Sequence, residues 1–197
     1  MKSLERISHR IDSLYSSRLM LALLLAAFGF FWLFNFSPLP LSNPELIKLS
    51  GHEGLLDSMP FYSAQEAYTA LTHYGAEGRK LYLRFLAADF IFIPTYSLGF
   101  SLLMTRTIRA VCGNSGSWLS LNLLPLCIGL FDCVENLCIL GILFLYPDNS
   151  TILGTLSGFV TSGKWLLTLP AALCLAYGGV VLLMRRLGFM YCHAQQQ

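Results

Sequence analysis

Residues 19–36 form a run without one charged side chain, and three more apolar runs follow over residues 85–105, 118–146 and 152–184. A helix rises ~1.5 Å per residue and the hydrocarbon core of a bilayer is ~30 Å thick, so runs of this length read as membrane-crossing helices. The chain has 55% hydrophobic and only 12% charged residues. A soluble domain carries about 25% charged residues, and a chain with half of that lacks the polar groups to cover its own surface. The expected fold class is therefore all-α: a polytopic membrane protein with a four-transmembrane-helix bundle as its single membrane domain over residues 19–186.

The first run could be mistaken for a secretory leader. It ends in bulky Phe31, Trp32, Leu33, Phe34 and Phe36 rather than in the small residues of a cleavage site, and reads as an uncleaved anchor. Ahead of it, residues 1–18 are basic, with Lys2, Arg6, Arg10 and Arg18. Ile7, Ile11, Leu14 and Tyr15 recur at helical spacing, which predicts a short amphipathic helix on the membrane surface. Residues 37–80 are the one long hydrophilic segment, expected as an extracytoplasmic loop between the first and second spans. Ser63 with Glu66 makes a capping-box pattern and Gly75 a stop signal, so a short helix is predicted over 64–74, with Ala67, Leu71 and Tyr74 on one face. The second span is expected to be closed by Arg106 and Arg109. The glycine-rich start of the fourth run, residues 154–163, is expected at the interface, with the crossing itself over 162–184. Its glycines are read as sites of close helix approach. Residues 187–197 form a tail, and Cys192 and His193 in it are not read as ligands.

Orientation follows from the basic residues. Of the thirteen Lys and Arg, eight (Lys2, Arg6, Arg10, Arg18, Arg106, Arg109, Arg185 and Arg186) fall on one side; Lys48, Arg79, Lys80 and Arg84 fall on the other. Basic residues accumulate on the cytoplasmic side, so both termini are expected there, in a bacterial inner membrane, with residues 37–80 outside. The net charge of +2 is dispersed beside apolar runs and forms no nucleic-acid patch. The expected partners are the lipid bilayer and a second copy or another membrane protein. Of the six cysteines, Cys127, Cys133, Cys138 and Cys174 lie in apolar runs and none in the 37–80 loop, which excludes a loop-cysteine thiol oxidoreductase. No cofactor is expected and no metal centre. His52-Glu53 lacks the histidine that a zincin helix would place at position 56, which is Leu56, and His73 alone does not complete a motif.

Asp89, Asp132, Glu135 and Lys164 interrupt the apolar runs. Each costs ~2.5–3.5 kcal/mol at a helix centre on insertion scales, so their presence needs a reason. Counted from the cytoplasmic ends at ~1.5 Å per residue, Asp89 lies ~24 Å in, Asp132 ~21 Å, Glu135 ~26 Å and Lys164 ~30 Å. Three helices thus place charge in one layer of the outer half. Asp132, Glu135 and Asn136 share a helix face by their i, i+3, i+4 spacing. Two carboxylates so close in low dielectric should titrate as a coupled unit. On the second span Arg79, Tyr82, Leu86, Asp89, Ile93 and Tyr96 form another stripe, and Thr161 sits one turn before Lys164.

The candidate ligand- or ion-binding residues are Asp89, Asp132, Glu135, Asn136, Lys164, Arg79 and Tyr82; no catalytic residue is named. The leading expectation is an acidic pocket that binds or passes a small polar or cationic species, with a proton as the candidate coupling ion. One alternative is an enzyme acting on a lipid headgroup, with Asp132 or Glu135 as general base and Arg79 or Arg84 as phosphate clamp. Others are a helper subunit that only packs against a partner, and a purely structural charge knot.

Overall fold

The computed structural model describes residues 2–113 and 116–188, all helical or connecting segments, with no strand among them. Residues 1, 114–115 and 189–197, including Cys192 and His193, lie outside the described residues. The helices are α1 (Lys2–Ser13), α2 (Ser17–Phe36), α3 (Asn43–Ser50), α4 (Ala64–Cys112), the four-residue α5 (Gly116–Leu119), α6 (Leu124–Leu145) and α7 (Thr151–Arg186). Four stretches are long and apolar enough to span a membrane: Ser17–Phe36, Ala64–Cys112, Ser120–Leu145 and Thr151–Arg186.

The four long helices run antiparallel in sequence order, and α4 is their hub, packing against α2, α6 and α7. Helix α2 lies outside the group formed by the other three, held by Phe34 against Phe85 (ring centroids 4.7 Å apart) and Phe92 (5.6 Å). The largest buried cluster sits at one end, where Leu46, Leu56, Tyr62, Leu71, Tyr74 and Tyr82 meet Leu86, Ile139 and Ile142. This end, which carries α3 and the 51–63 segment, is called the loop end below.

The short helix expected over 64–74 forms as the first section of α4. Ser63 caps it reciprocally: its N–H donates to Glu66 Oε2 at 2.7 Å, and its Oγ accepts from the Glu66 N–H at 3.2 Å. Ala67, Leu71 and Tyr74 are all buried. Gly75 breaks the helix with φ 61°, ψ −171°, a conformation that a Cβ makes costly. Arg79 then donates to the Leu71 carbonyl at 2.9 Å, satisfying an acceptor that the break orphans, and stacks over Tyr146 at 4.2 Å. Beyond the expected Arg106–Arg109 boundary the helix continues to Cys112.

Two further elements complete the fold. The glycine-rich start of the fourth run is one continuous helix with the rest of α7. Its glycines are points of close approach. A Cβ at Gly154 would collide with Ala64, one at Gly158 with the Tyr62 carbonyl and one at Gly163 with the Phe131 ring. These small residues let neighbouring chain lie directly upon the helix. Helix α1 docks on the end of the bundle opposite the loop end. Ile11 inserts against Met20 and Leu102, Asn122 Nδ2 donates to the Ser8 carbonyl at 3.2 Å, and Arg109 pairs with Asp12 at 2.6 Å. Leu4, Ile7 and Leu14 remain exposed. The five described cysteines are free thiols.

Candidate functional site

Helix α6 brings Asp132, Glu135 and Asn136 to its inward face, α4 brings Asp89, and α7 brings Thr161 and Lys164; all six are buried. The spacing explains the shared face on α6, and antiparallel packing sets the three helices' charged levels side by side.

Lys164 is the centre of the arrangement. Its ammonium lies 2.9 Å from Asp132 Oδ1, 2.5 Å from Glu135 Oε2 and 3.3 Å from the Asp57 carbonyl oxygen. An ammonium has three protons to donate, and three acceptors surround this one. The remaining carboxylate oxygens have hydroxyl neighbours. Tyr96 donates to Asp132 Oδ2 at 2.8 Å, and Thr161 Oγ1 lies 2.5 Å from Glu135 Oε1. Thr161 Oγ1 is also 2.9 Å from the Ser157 carbonyl, so two acceptors compete for its single proton.

Asp89 stands one step away. Asn136 Nδ2 donates to its Oδ2 at 2.6 Å, and no cation pairs with it among the described residues. The Asn136 Oδ1 atom is buried without a hydrogen-bond partner. Arg79 and Tyr82, grouped with these residues by spacing, serve elsewhere. Arg79 caps the break in α4, as described above. Tyr82 is fully buried, and its hydroxyl accepts from the Leu56 N–H at 3.1 Å. Arg84 is exposed.

Over the cluster lies segment 54–62, which spacing arguments did not reveal as part of the site. It is tied to α4 by the Leu56–Tyr82 bond and by Tyr74, which donates to the Gly54 carbonyl at 2.6 Å. Its ties to α7 are Lys164 on the Asp57 carbonyl, Tyr62 with Ser157 (hydroxyls 2.5 Å apart) and Ser162 donating to the Pro60 carbonyl at 3.1 Å. The segment brings a fourth carboxylate. Asp57 Oδ1 is buried without a hydrogen-bond partner, and burial, opposed by Lys164 and reinforced by Asp132, pushes this carboxyl up to about 6. Burial likewise holds the Tyr62 phenol above its usual range, so it stays a neutral hydroxyl.

Two carboxylates, Asp132 and Glu135, therefore pair with one ammonium, while the Asp57 carboxyl only feels its charge and Asp89 is held by Asn136 instead. Within the low dielectric of a helix bundle an uncompensated carboxylate is expensive, so charge balance calls for protons or for a second cation. Two crevices lie away from this cluster. One is a crevice of about 480 Å³ between the first section of α4 and residues 146–151, and the other lies among Leu103, Arg106 and Leu182 at the opposite end. Asp89, Asp132 and Glu135 are themselves buried, and the 54–62 segment is tied to Lys164 beside them.

No family model, no curated protein and no solved structure matches this chain.

Proposed function

We propose that the protein is an integral membrane protein of four transmembrane helices that takes up protons, or a small cation in their place, at a carboxylate cluster beneath a loop-end lid. The single observation that carries this reading is the excess of acid: Lys164 pairs with Asp132 and Glu135, and two further carboxyls, Asp57 and Asp89, have no cation of their own among the described residues. The proton count around Thr161 agrees with it. If Glu135 Oε1 carries a proton, it donates to Thr161 while Thr161 donates to Ser157, and both short contacts are satisfied at once. The distribution of Lys and Arg supports both termini in the cytoplasm and the loop end facing outward; the membrane we propose is a bacterial inner membrane. In that orientation segment 54–62 separates the cluster from the outside water, and its opening admits the ion.

A lipid-headgroup enzyme has less support, because Arg79 and Arg84, its phosphate-binding candidates, lie apart from the carboxylates.

The test is the purified protein in liposomes holding a pH-sensitive dye, under an imposed pH gradient. Wild type should dissipate the gradient faster than empty vesicles, and Asp132→Asn/Glu135→Gln should not. Asp89→Asn, which keeps shape and a hydrogen-bonding group, is the milder variant and should slow the flux while leaving the fold intact. Wild-type vesicles as tight as empty ones to protons, alkali cations and small amines would sink the proposal.

A further inference from the structure

A second constellation lies on the loop end, apart from the acid cluster. Glu53 Oε1 is 3.2 Å from His52 Nε2 and 3.1 Å from His73 Nδ1, and the three ligand atoms all lie within 4.8 Å of one another. We propose that His52, Glu53 and His73 bind a zinc-like divalent ion, with water completing the coordination.

The donor set is right for such an ion: two imidazoles and one carboxylate suit borderline transition metals rather than calcium or magnesium. The spacing is right as well. Bonds of ~2.0–2.2 Å in tetrahedral geometry put neighbouring ligand atoms ~3.3–3.5 Å apart. Both Glu53–His distances are already within a few tenths of that edge, and closing the gap between the two imidazoles, whose centroids are 5.1 Å apart, needs only rotation of exposed side chains.

The backbone that presents these groups is held from both sides. Gly51 ends α3 at φ 88°, turning the chain toward His52. Ser50 Oγ donates to the Glu53 carbonyl at 2.7 Å, and Tyr74, next to His73, donates to the Gly54 carbonyl. His73 itself rides on the first section of α4. The side chains of His52 and His73 are 68% and 40% exposed, so an ion has a path in and an open position for water. Once bound it would bridge residues 52–53 to α4 and add a tether just ahead of segment 54–62. The site stands whether or not the acid cluster moves ions.

The experiment is a calorimetric titration of the full chain in detergent, carrying no histidine tag, with Zn²⁺, alongside thermal melts with and without the metal. Wild type should bind one equivalent and melt at a higher temperature with zinc than without. His52→Ala, Glu53→Gln and His73→Ala should each weaken binding at least ~10-fold, and Mg²⁺ and Ca²⁺ should not compete. His52 and His73 are exposed, so their variants should keep the wild-type melt in the absence of metal. No binding by wild type would overturn the site. So would binding that survives all three substitutions or disappears only in Cys192→Ser/His193→Ala.

Discussion

The two ends of the bundle each bury a polar node, and the nodes are built from different chemistry. At the end where α1 docks, the node is neutral. Ser101 donates to the Asn122 carbonyl at 2.7 Å, Asn122 Nδ2 reaches Thr105 Oγ1 at 3.0 Å and the Ser8 carbonyl, and Thr105 donates to the Ser101 carbonyl at 2.9 Å. Asn122 Oδ1 and Ser8 Oγ are left there without a partner, and beside the node Asp12, paired with Arg109 through Oδ2, keeps its Oδ1 buried and unpartnered. At the loop end the node is charged: one ammonium, four carboxylic groups, and an unpartnered oxygen on Asp57. Both nodes join helices to a neighbouring segment, α1 in one case and residues 54–62 in the other. A neutral network does that at modest cost. Buried ions bring a desolvation penalty that structure alone does not require, and a hydrophobic substitute is often no less stable. The contrast is what separates a fastening from a candidate site.

The largest expected effect tests the charged node at its centre. Lys164→Met should destabilise the protein by about 3–5 kcal/mol, because it leaves buried carboxylates without their cation. Arg109→Met, which removes the part-exposed pair to Asp12, should cost no more than about 1 kcal/mol. Reversible unfolding in mixed micelles measures both; equal costs would erase the distinction between the nodes.

Next comes pH. Asp57 has a raised pKa in the folded chain, about 6 against 3.8 for the free group, so folding favours its protonated form. Its contribution to stability is therefore complete below pH 3.8 and lost as pH rises through 6. Asp57→Asn should remove that dependence and gain up to about 3 kcal/mol at pH 7 relative to wild type. Amide exchange across residues 54–62 should show the lid better protected at pH 4.5 than at pH 7 in wild type, and alike at both in the variant. Lys164, Asp132, Glu135 and Asp89 are the charged groups that bear on this titration.

A smaller effect than at the charged node belongs to the neutral node. Asn122→Ala should cost about 2 kcal/mol, since it strands Thr105 and the Ser8 carbonyl, and that cost should not vary between pH 4.5 and 8. A pH-dependent loss in this variant would mean that the two ends are coupled and that the comparison is too simple.

Much of the fold could be read before any coordinates. Hydrophobic run length gave four long helices, because the period and extent of apolar residues are local properties of a chain. The Ser63–Glu66 box and Gly75 marked a helix start and a break, because caps and positive φ act within a few residues. The i, i+3, i+4 spacing put Asp132, Glu135 and Asn136 on one face, and counting residues set Asp89 and Lys164 at the same level.

What lay beyond the sequence is what depends on distant segments meeting. Asp57 and Tyr62 belong to the candidate site through contacts spanning 107 and 95 residues, and no periodicity within 54–62 announces them. Arg79 and Tyr82 share a stripe with Asp89, yet the break at Gly75 and the close approach of Leu56 give them other partners. His52 and Glu53 acquire His73 only because the 51–54 turn is folded back against α4, 20 residues away along the chain. The sequence by itself determined which segments are helices and which side chains each helix presents. Tertiary structure decided which of those side chains face one another, because contact across the bundle is set by the packing of whole helices and by glycines such as Gly158 that let a lid lie close.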